Sequence, residues 1–117
     1  MAFFSSHLLN SLDGTHAAKV KFKIEQIDHN GNRKTFLESY TDDSGRIAKE
    51  FNLSSQDCLY DYEIIVNTKD FFLSFNKSIS KNIVSEIIVR FRMEDDNKKY
   101  HIPIIIAPNS YSIWWSQ

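Results

Sequence analysis

Along most of this chain apolar and polar residues trade places at every second position, the period of an extended strand with one wet and one buried face. The clearest run is Lys19 to Ile27, with Val20, Phe22 and Ile24 on one side and Lys21, Lys23 and Glu25 on the other. Asp28-His29-Asn30-Gly31-Asn32 follows, and its Asn-Gly pair predicts a type I′ hairpin turn, which needs positive φ at both central residues. His29 then reads as a solvated loop residue. Alternation resumes from Lys34 to Thr41, where Phe36, Glu38 and Tyr40 oppose Thr35, Leu37 and Ser39. A shorter apolar run, His7-Leu8-Leu9, starts a first strand and is closed by the turn residues Ser11-Leu12-Asp13-Gly14. Leu59 to Val66 turns Tyr60, Tyr62, Ile64 and Val66 inward, Ile83 to Met93 is the longest predicted strand, and Tyr111 to Trp115 is the last. Ala48 to Asp57 has no clear pattern and is expected to link strands.

Two stretches depart from simple alternation. Asn67-Thr68-Lys69-Asp70 offers helix N-cap candidates, and Phe71, Phe72 and Phe75 follow at the i, i+1, i+4 spacing of a short helix docked on a sheet. Tyr100 to Pro108 is almost wholly apolar and reads as a strand covered on both faces. Pro103 cannot donate to a ladder, so that end of the strand should meet an edge, a bulge or a site rim. His101 stands at its entrance, either as a half-buried imidazole held by a backbone carbonyl or as a catalytic group titrating near neutrality. The sum is seven or eight short strands and one short helix, an all-β chain of the sandwich type in a single domain over residues 1–117.

Composition narrows the function classes. Of 117 residues, 42% are hydrophobic and 25% charged, enough for one modest core. Lys and Arg number 14 against 15 Asp and Glu, for a net charge of -1. With the basic residues dispersed, nothing argues for nucleic acid or an anionic membrane. No stretch reaches the length of a membrane span. Met1 to Ser6 lacks the basic start of a signal peptide, the final Trp-Ser-Gln is no sorting address, and a cytoplasmic setting is expected. The single Cys58 excludes an intrachain disulfide, and the flanking Asp57 and Asp61 would raise its pKa, so it is a poor nucleophile. His7, His16, His29 and His101 lack metal-ligand spacing, and the isolated turn glycines Gly14, Gly31 and Gly45 form no phosphate loop. Arg46 follows the turn Thr41-Asp42-Asp43-Ser44-Gly45, as a surface residue or as an anion clamp.

His7-Leu8-Leu9-Asn10 with Gly14 and Ala17-Ala18, then Ser44-Gly45-Arg46, then Tyr100-His101-Ile102-Pro103-Ile104-Ile105-Ile106-Ala107-Pro108 and Tyr111-Ser112 together resemble the transthyretin-like family. Within it the pattern is similar to the 5-hydroxyisourate hydrolase branch, from His7 to Tyr111, with Asn67 to Phe72 matching the family's short helix. The resemblance implies a two-sheet, eight-stranded sandwich and a homotetramer built as a dimer of dimers. It also implies sites in the channel between the dimers. Hydrolases of the branch carry His, Arg and His where this chain has His7, Arg46 and His101, and the hormone carriers have lost them. The roles so implied are an acid/base pair of His7 and His101, in either order, and Arg46 as substrate clamp and charge stabiliser, with no metal or organic cofactor. The branch ends in Tyr-Arg-Gly-Ser, whereas this chain reads Trp114-Trp115-Ser116-Gln117. Trp114, Trp115 and Ser116 are therefore expected to line the substrate site, Trp115 standing where the arginine would be and either stacking on a purine-like ring or packing between dimers. Asn10 replaces the usual Asp, and His16 replaces the usual Pro before the alanines. The function implied is ring opening of 5-hydroxyisourate in urate breakdown. The alternatives are a tetrameric binder of a flat ligand, or a related hydrolase or cyclase acting on another heterocycle.

Overall fold

A computed structural model describes residues 1–75 and 82–117. Among these residues nine strands run in the order β1 Ala2–Asn10, β2 Lys21–Ile27, β3 Arg33–Tyr40, β4 Arg46–Phe51, β5 Asp61–Val66, β6 Ile87–Arg92, β7 Lys99–His101, β8 Ile104–Ile106 and β9 Tyr111–Ile113. A 3₁₀ turn at Asp57–Leu59 precedes β5, and one helix, α1 Thr68–Phe75, follows it. The strands form two sheets. One has the order β3-β2-β5-β6, and the other β4-β1-β8-β9 with β7 also on β1. This is an all-β, two-sheet sandwich, with nine strands among the described residues where seven or eight are expected, in part because the Tyr100–Pro108 run divides at Pro103. Its two pieces, β7 and β8, both lie parallel to β1.

The inward residues of both sheets share one core. Phe4, Leu8, Phe22, Ile24, Tyr62, Ile64, Ile104 and Ile106 are fully buried there, and burial of this apolar area is the main source of stability. Of these eight, Tyr62 alone carries a polar group. Its hydroxyl accepts from Gln26 Nε2 at 3.0 Å and donates to the Asp57 carbonyl at 2.9 Å, and burial pushes its pKa up to about 12.

Local chemistry explains most elements. Asn67 caps α1, its Oδ1 accepting the Asp70 N–H at 3.1 Å while its Nδ2 donates to the Asp70 carboxylate at 2.8 Å. Phe72 is fully buried and Phe71 packs partly on the core, whereas Phe75 stays exposed at the last turn. The β2–β3 connection is not the type I′ turn expected. Gly31 alone takes positive φ, and the Asp28 carboxylate accepts the N–H groups of Asn30 and Asn32, both at 2.9 Å, which organises a longer loop. In β3 the register skips Phe36, a bulge that lets both Phe36 and Leu37 reach the core.

Two expectations fail outright. Ala48 to Asp57 is not a linker, since its first part belongs to β4, which pairs with β1 from Ala2↔Phe51 to His7↔Arg46. As an edge strand β4 buries only Ile47 and Phe51, so no alternation marks it. Conversely Ile83 is 90% exposed and β6 begins only at Ile87, which makes the nine-residue β1 the longest strand among the described residues.

The outer face of the β3-β2-β5-β6 sheet carries an ion-pair ladder. Glu63 accepts from Arg33 at 2.7 Å and from Arg90 at 2.8 Å, Arg33 also reaches Glu25 at 3.1 Å, and Arg90 and Arg92 both lie near Asp61. Among the described residues no helix is long and apolar enough to cross a membrane.

Candidate active site

The other outer face is built on β1. Ala2, Phe4, Ser6, Leu8 and Asn10 point into the core, and Phe3, Ser5, His7 and Leu9 point out. His7 stands opposite Arg46 on β4, and Ser5 stands opposite His101 on β7. Residues opposite one another in a ladder share a face, so β1, flanked by β4 and β7 on its two edges, gathers His7, Arg46 and His101 on one surface. Their place in sequence hides this entirely.

Two more side chains belong to the cluster. After the Ser11–Gly14 turn the chain folds back along β1, with Leu9 bridged to His16 and the Ala17 N–H bonded to the Leu8 carbonyl at 2.9 Å. That return puts the His16 ring on the same face, its Nδ1 2.8 Å from His7 Nε2. On the other flank Ser5 Oγ lies 2.7 Å from His101 Nδ1, a side-chain hydroxyl rather than the backbone carbonyl considered above. Gly45 closes the arrangement. Its φ is +72° and a Cβ there would sit 2.5 Å from the Leu8 carbonyl, so only glycine lets the turn before Arg46 approach β1 this closely.

The electrostatics are one-sided. The His7 pKa is lowered by partial burial first, then by the charges of Arg46 and His16 and more weakly His101, while a hydrogen bond with the Ser44 backbone opposes the shift. No carboxylate is among these groups. Arg46 is exposed and makes no ion pair among the described residues. The face thus offers imidazoles beside an unpaired guanidinium, a set able to move a proton and to bind a planar anion or a developing oxyanion.

The tail divides. Ser116 pairs with His101, its N–H donating to the His101 carbonyl at 2.8 Å, and the Trp114 N–H reaches the Pro103 carbonyl at 3.4 Å. Alternation from that pairing puts Trp114 and Ser116 on the histidine face and Trp115 on the reverse side. Trp115 stacks on Tyr100 with ring centroids 6.3 Å apart, and Lys98 Nζ lies 5.5 Å from its ring. It borders a cleft of about 350 Å³ with Phe91, Asp95 and Ile102. The expectation that Trp115 takes the arginine's place among the histidines therefore meets a different placement. His29 packs edge-on against Tyr60 at 5.0 Å, apart from the cluster. The Cys58 thiol is pushed up by burial and then by Asp96 and Asp57. No group of three or more potential metal ligands is assembled among the described residues.

His16 and Ser5 are the side chains of this cluster that sequence reasoning did not assign to the candidate site. The turn at Ser11–Gly14 held a signal for His16, because a tight reversal there brings position 16 back beside position 9. Ser5 gave none, since its partner is fixed only by the β1–β7 register.

Two sheets of this order, with one short helix after the fifth strand, define a transthyretin-like sandwich. The crystal structure of transthyretin from Sparus aurata matches it with a TM-score of 0.81 at 20% identity, over 97% of this chain and 95% of that one. Residues 4–115 match the model of the HIUase/Transthyretin family, and the chain belongs to that family. It is 29% identical over 112 residues to the 5-hydroxyisourate hydrolase of Halalkalibacterium halodurans, covering 94% of this chain and 93% of that protein. It also matches the structure of (S)-allantoin synthase with a TM-score of 0.81 at 20% identity, over 99% of this chain but only 44% of that longer one.

Proposed function

We propose that this protein hydrolyses 5-hydroxyisourate, opening its cyclic ureide ring in purine degradation. The observation that carries the reading is the gathering of His7, Arg46 and His101 on one sheet face from three separate strands. The relative from Halalkalibacterium halodurans bearing that enzyme's name supports it. Hydrolysis needs a water stripped of a proton, a charge to steady the oxyanion, and a proton for the departing nitrogen. The histidine clusters at the two ends of the face supply acid and base. Ser5 fixes Nδ1 of His101 and so leaves Nε2 of that ring toward the substrate. Arg46 clamps the polarised ring and stabilises the charge that develops on it. Trp114 and Ser116 border the same face. No cofactor is needed for these steps.

An open sheet surface does not exclude water, and acid–base chemistry gains from a closed site. Phe3, Leu9 and Ile105 are only half-buried around the histidines, and a second copy covering them would complete the enclosure. We therefore infer a homotetramer with its sites at subunit contacts, working in the cytoplasm. The test is the decay of freshly generated 5-hydroxyisourate with and without protein. Faster decay that is abolished by Arg46→Ala and His101→Ala supports the reading. Decay at the spontaneous rate overturns it.

A carrier of flat ligands is the second reading, favoured by the exposed Trp114 on the histidine face. It predicts quenching of tryptophan fluorescence by planar heterocycles without turnover, a response that Trp114→Ala removes.

A further inference from the structure

Behind His101 lies a cleft that the candidate active site does not use. Strand alternation turns His101 to the histidine face and its neighbours Tyr100 and Ile102 to the other side, as the Ser116–His101 pairing does for Trp115. Tyr100, Ile102 and Trp115 meet Phe91 of β6 around a space of about 350 Å³, which is the size of a small-ligand pocket. Its walls are set before anything binds. The Tyr100 hydroxyl donates to the Asp95 carbonyl at 3.2 Å and accepts the Asp95 N–H at 3.0 Å, which fixes that ring. Trp115 is held from both sides, the Trp114 N–H on the Pro103 carbonyl and the Ser116 N–H on the His101 carbonyl. Its indole stacks on Tyr100 with 24° between the planes, yet stays 46% exposed. Aromatic surface fixed in this way receives a flat ring with little ordering left to do.

Charge at the rim selects what that ring carries. Glu94 lies 3.8 Å from Arg92 Nη1, and Asp95 Oδ1 accepts the Asn97 N–H at 2.8 Å inside its own turn. Arg92 is engaged in turn by Asp61 at 3.7 Å and by the Leu59 carbonyl at 2.8 Å. Lys98 makes no ion pair among the described residues. Its Nζ stands instead over the Trp115 ring, 5.5 Å from the centroid. An ammonium without a carboxylate thus borders an exposed aromatic platform. We infer that this cleft is a second ligand site, and that it takes a planar aromatic ring bearing a carboxylate. The ring lies against Trp115 and Phe91, and the carboxylate meets Lys98. None of His7, Arg46 and His101 lines the cleft, so the site stands whether or not the protein opens a ring.

The probe is 4-nitrobenzoate, a flat aromatic carboxylate whose nitro group quenches indole emission. The chain has two tryptophans, so Trp114→Phe leaves Trp115 as the sole reporter and silences any response from the histidine face. We expect saturable quenching with a Kd below about 1 mM, and clearly weaker binding of the neutral 4-nitrobenzamide. Lys98→Glu should weaken the carboxylate about tenfold and leave the amide unchanged. Arg46→Ala in the same background should leave both unchanged. The Trp115 indole N–H in ¹H–¹⁵N spectra of the unmodified chain gives a second arm, and it should shift with the same Kd. Quenching that rises linearly, as collisions produce, overturns the site. So does equal affinity for the amide, tighter binding of the cationic 4-nitrobenzylamine, or loss of the response with Arg46→Ala, which would place the ligand on the histidine face. A Trp115 shielded from the probe in both arms would mean that a second copy covers the cleft, and overturns it as well.

Discussion

The two outer sheet faces are built alike and equipped oppositely. On the β3-β2-β5-β6 face every charge is answered. Glu63 is gripped by Arg33 at 2.7 Å and Arg90 at 2.8 Å, and the Arg33 hydrogen bond, then that of Arg90, holds its carboxyl below the usual carboxylate range. On the β1 face the Arg46 side chain makes no ion pair among the described residues, the nearby Asp42 carboxylate accepting the Arg46 backbone N–H instead, and the imidazoles bond to Ser5 and to one another. A paired charge is spent on the fold, whereas an unpaired guanidinium beside imidazoles remains free to act on something else.

The largest effects that test this contrast come from exchanging activity for stability at the two faces. Arg46→Ala should lower kcat/KM for ring opening by about 10²- to 10³-fold, with stability within about 0.5 kcal/mol of the unmodified chain. Glu63→Gln should do the reverse, costing about 1–2 kcal/mol through the loss of its charge-assisted hydrogen bonds, with the decay assay unchanged. Urea midpoints and initial rates on the same preparations suffice. Equal destabilisation by the two substitutions would erase the distinction between the faces.

Much of the fold was legible because burial on one face leaves its mark on the sequence. Phe22 and Ile24 alternate with charged residues on β2 and lie where the pattern puts them, and the Asn67 cap announces α1. The edge strand β4 was not legible. Neighboured by β1 alone, it exposes Ala48, Lys49 and Glu50 in succession, and no period survives. The site was legible only through family resemblance, since the pairings His7↔Arg46 and Ser5↔His101 are set by long-range register. Trp115 was misplaced for a related reason. The Ser116–His101 bridge fixes the alternation of the tail, and a shift of one residue moves a side chain to the opposite face.

Acidity separates the faces by a smaller effect. Glu63 has a depressed folded pKa, so its stabilisation is complete above the unfolded carboxylate value of about 4.3 and is lost as pH falls through the lower folded value. His7 is depressed as well, but for a base that is neutral when deprotonated. Its preference for the folded state is present above the unfolded value of about 6.5 and is lost as pH falls through its folded pKa. The acid limb of ring opening should accordingly have its midpoint below about pH 6.5. A midpoint above that value would mean that groups favouring the charged ring outweigh burial and the neighbouring cations, and the β1 face would then resemble the β3-β2-β5-β6 face after all.

The finest test lies within one strand. Ser5 and Ser6 are neighbours on β1 with opposite orientations, Ser5 outward to His101 Nδ1 at 2.7 Å and Ser6 inward, donating to the Ile102 carbonyl at 2.7 Å. Ser6 is 1% exposed, so Ser6→Ala leaves a buried carbonyl short of a partner and should cost about 1 kcal/mol without touching the rate. Ser5→Ala removes only the hold on the His101 ring. The ring then samples other rotamers, and kcat should fall by roughly three- to tenfold with KM and stability nearly unchanged, as expected when a reactive group loses its orientation rather than its presence. Were Ser5→Ala instead to lower stability and spare kcat, His101 would be part of the sheet's packing, and the outward face of β1 would hold its histidines for structure, as the other face holds its arginines.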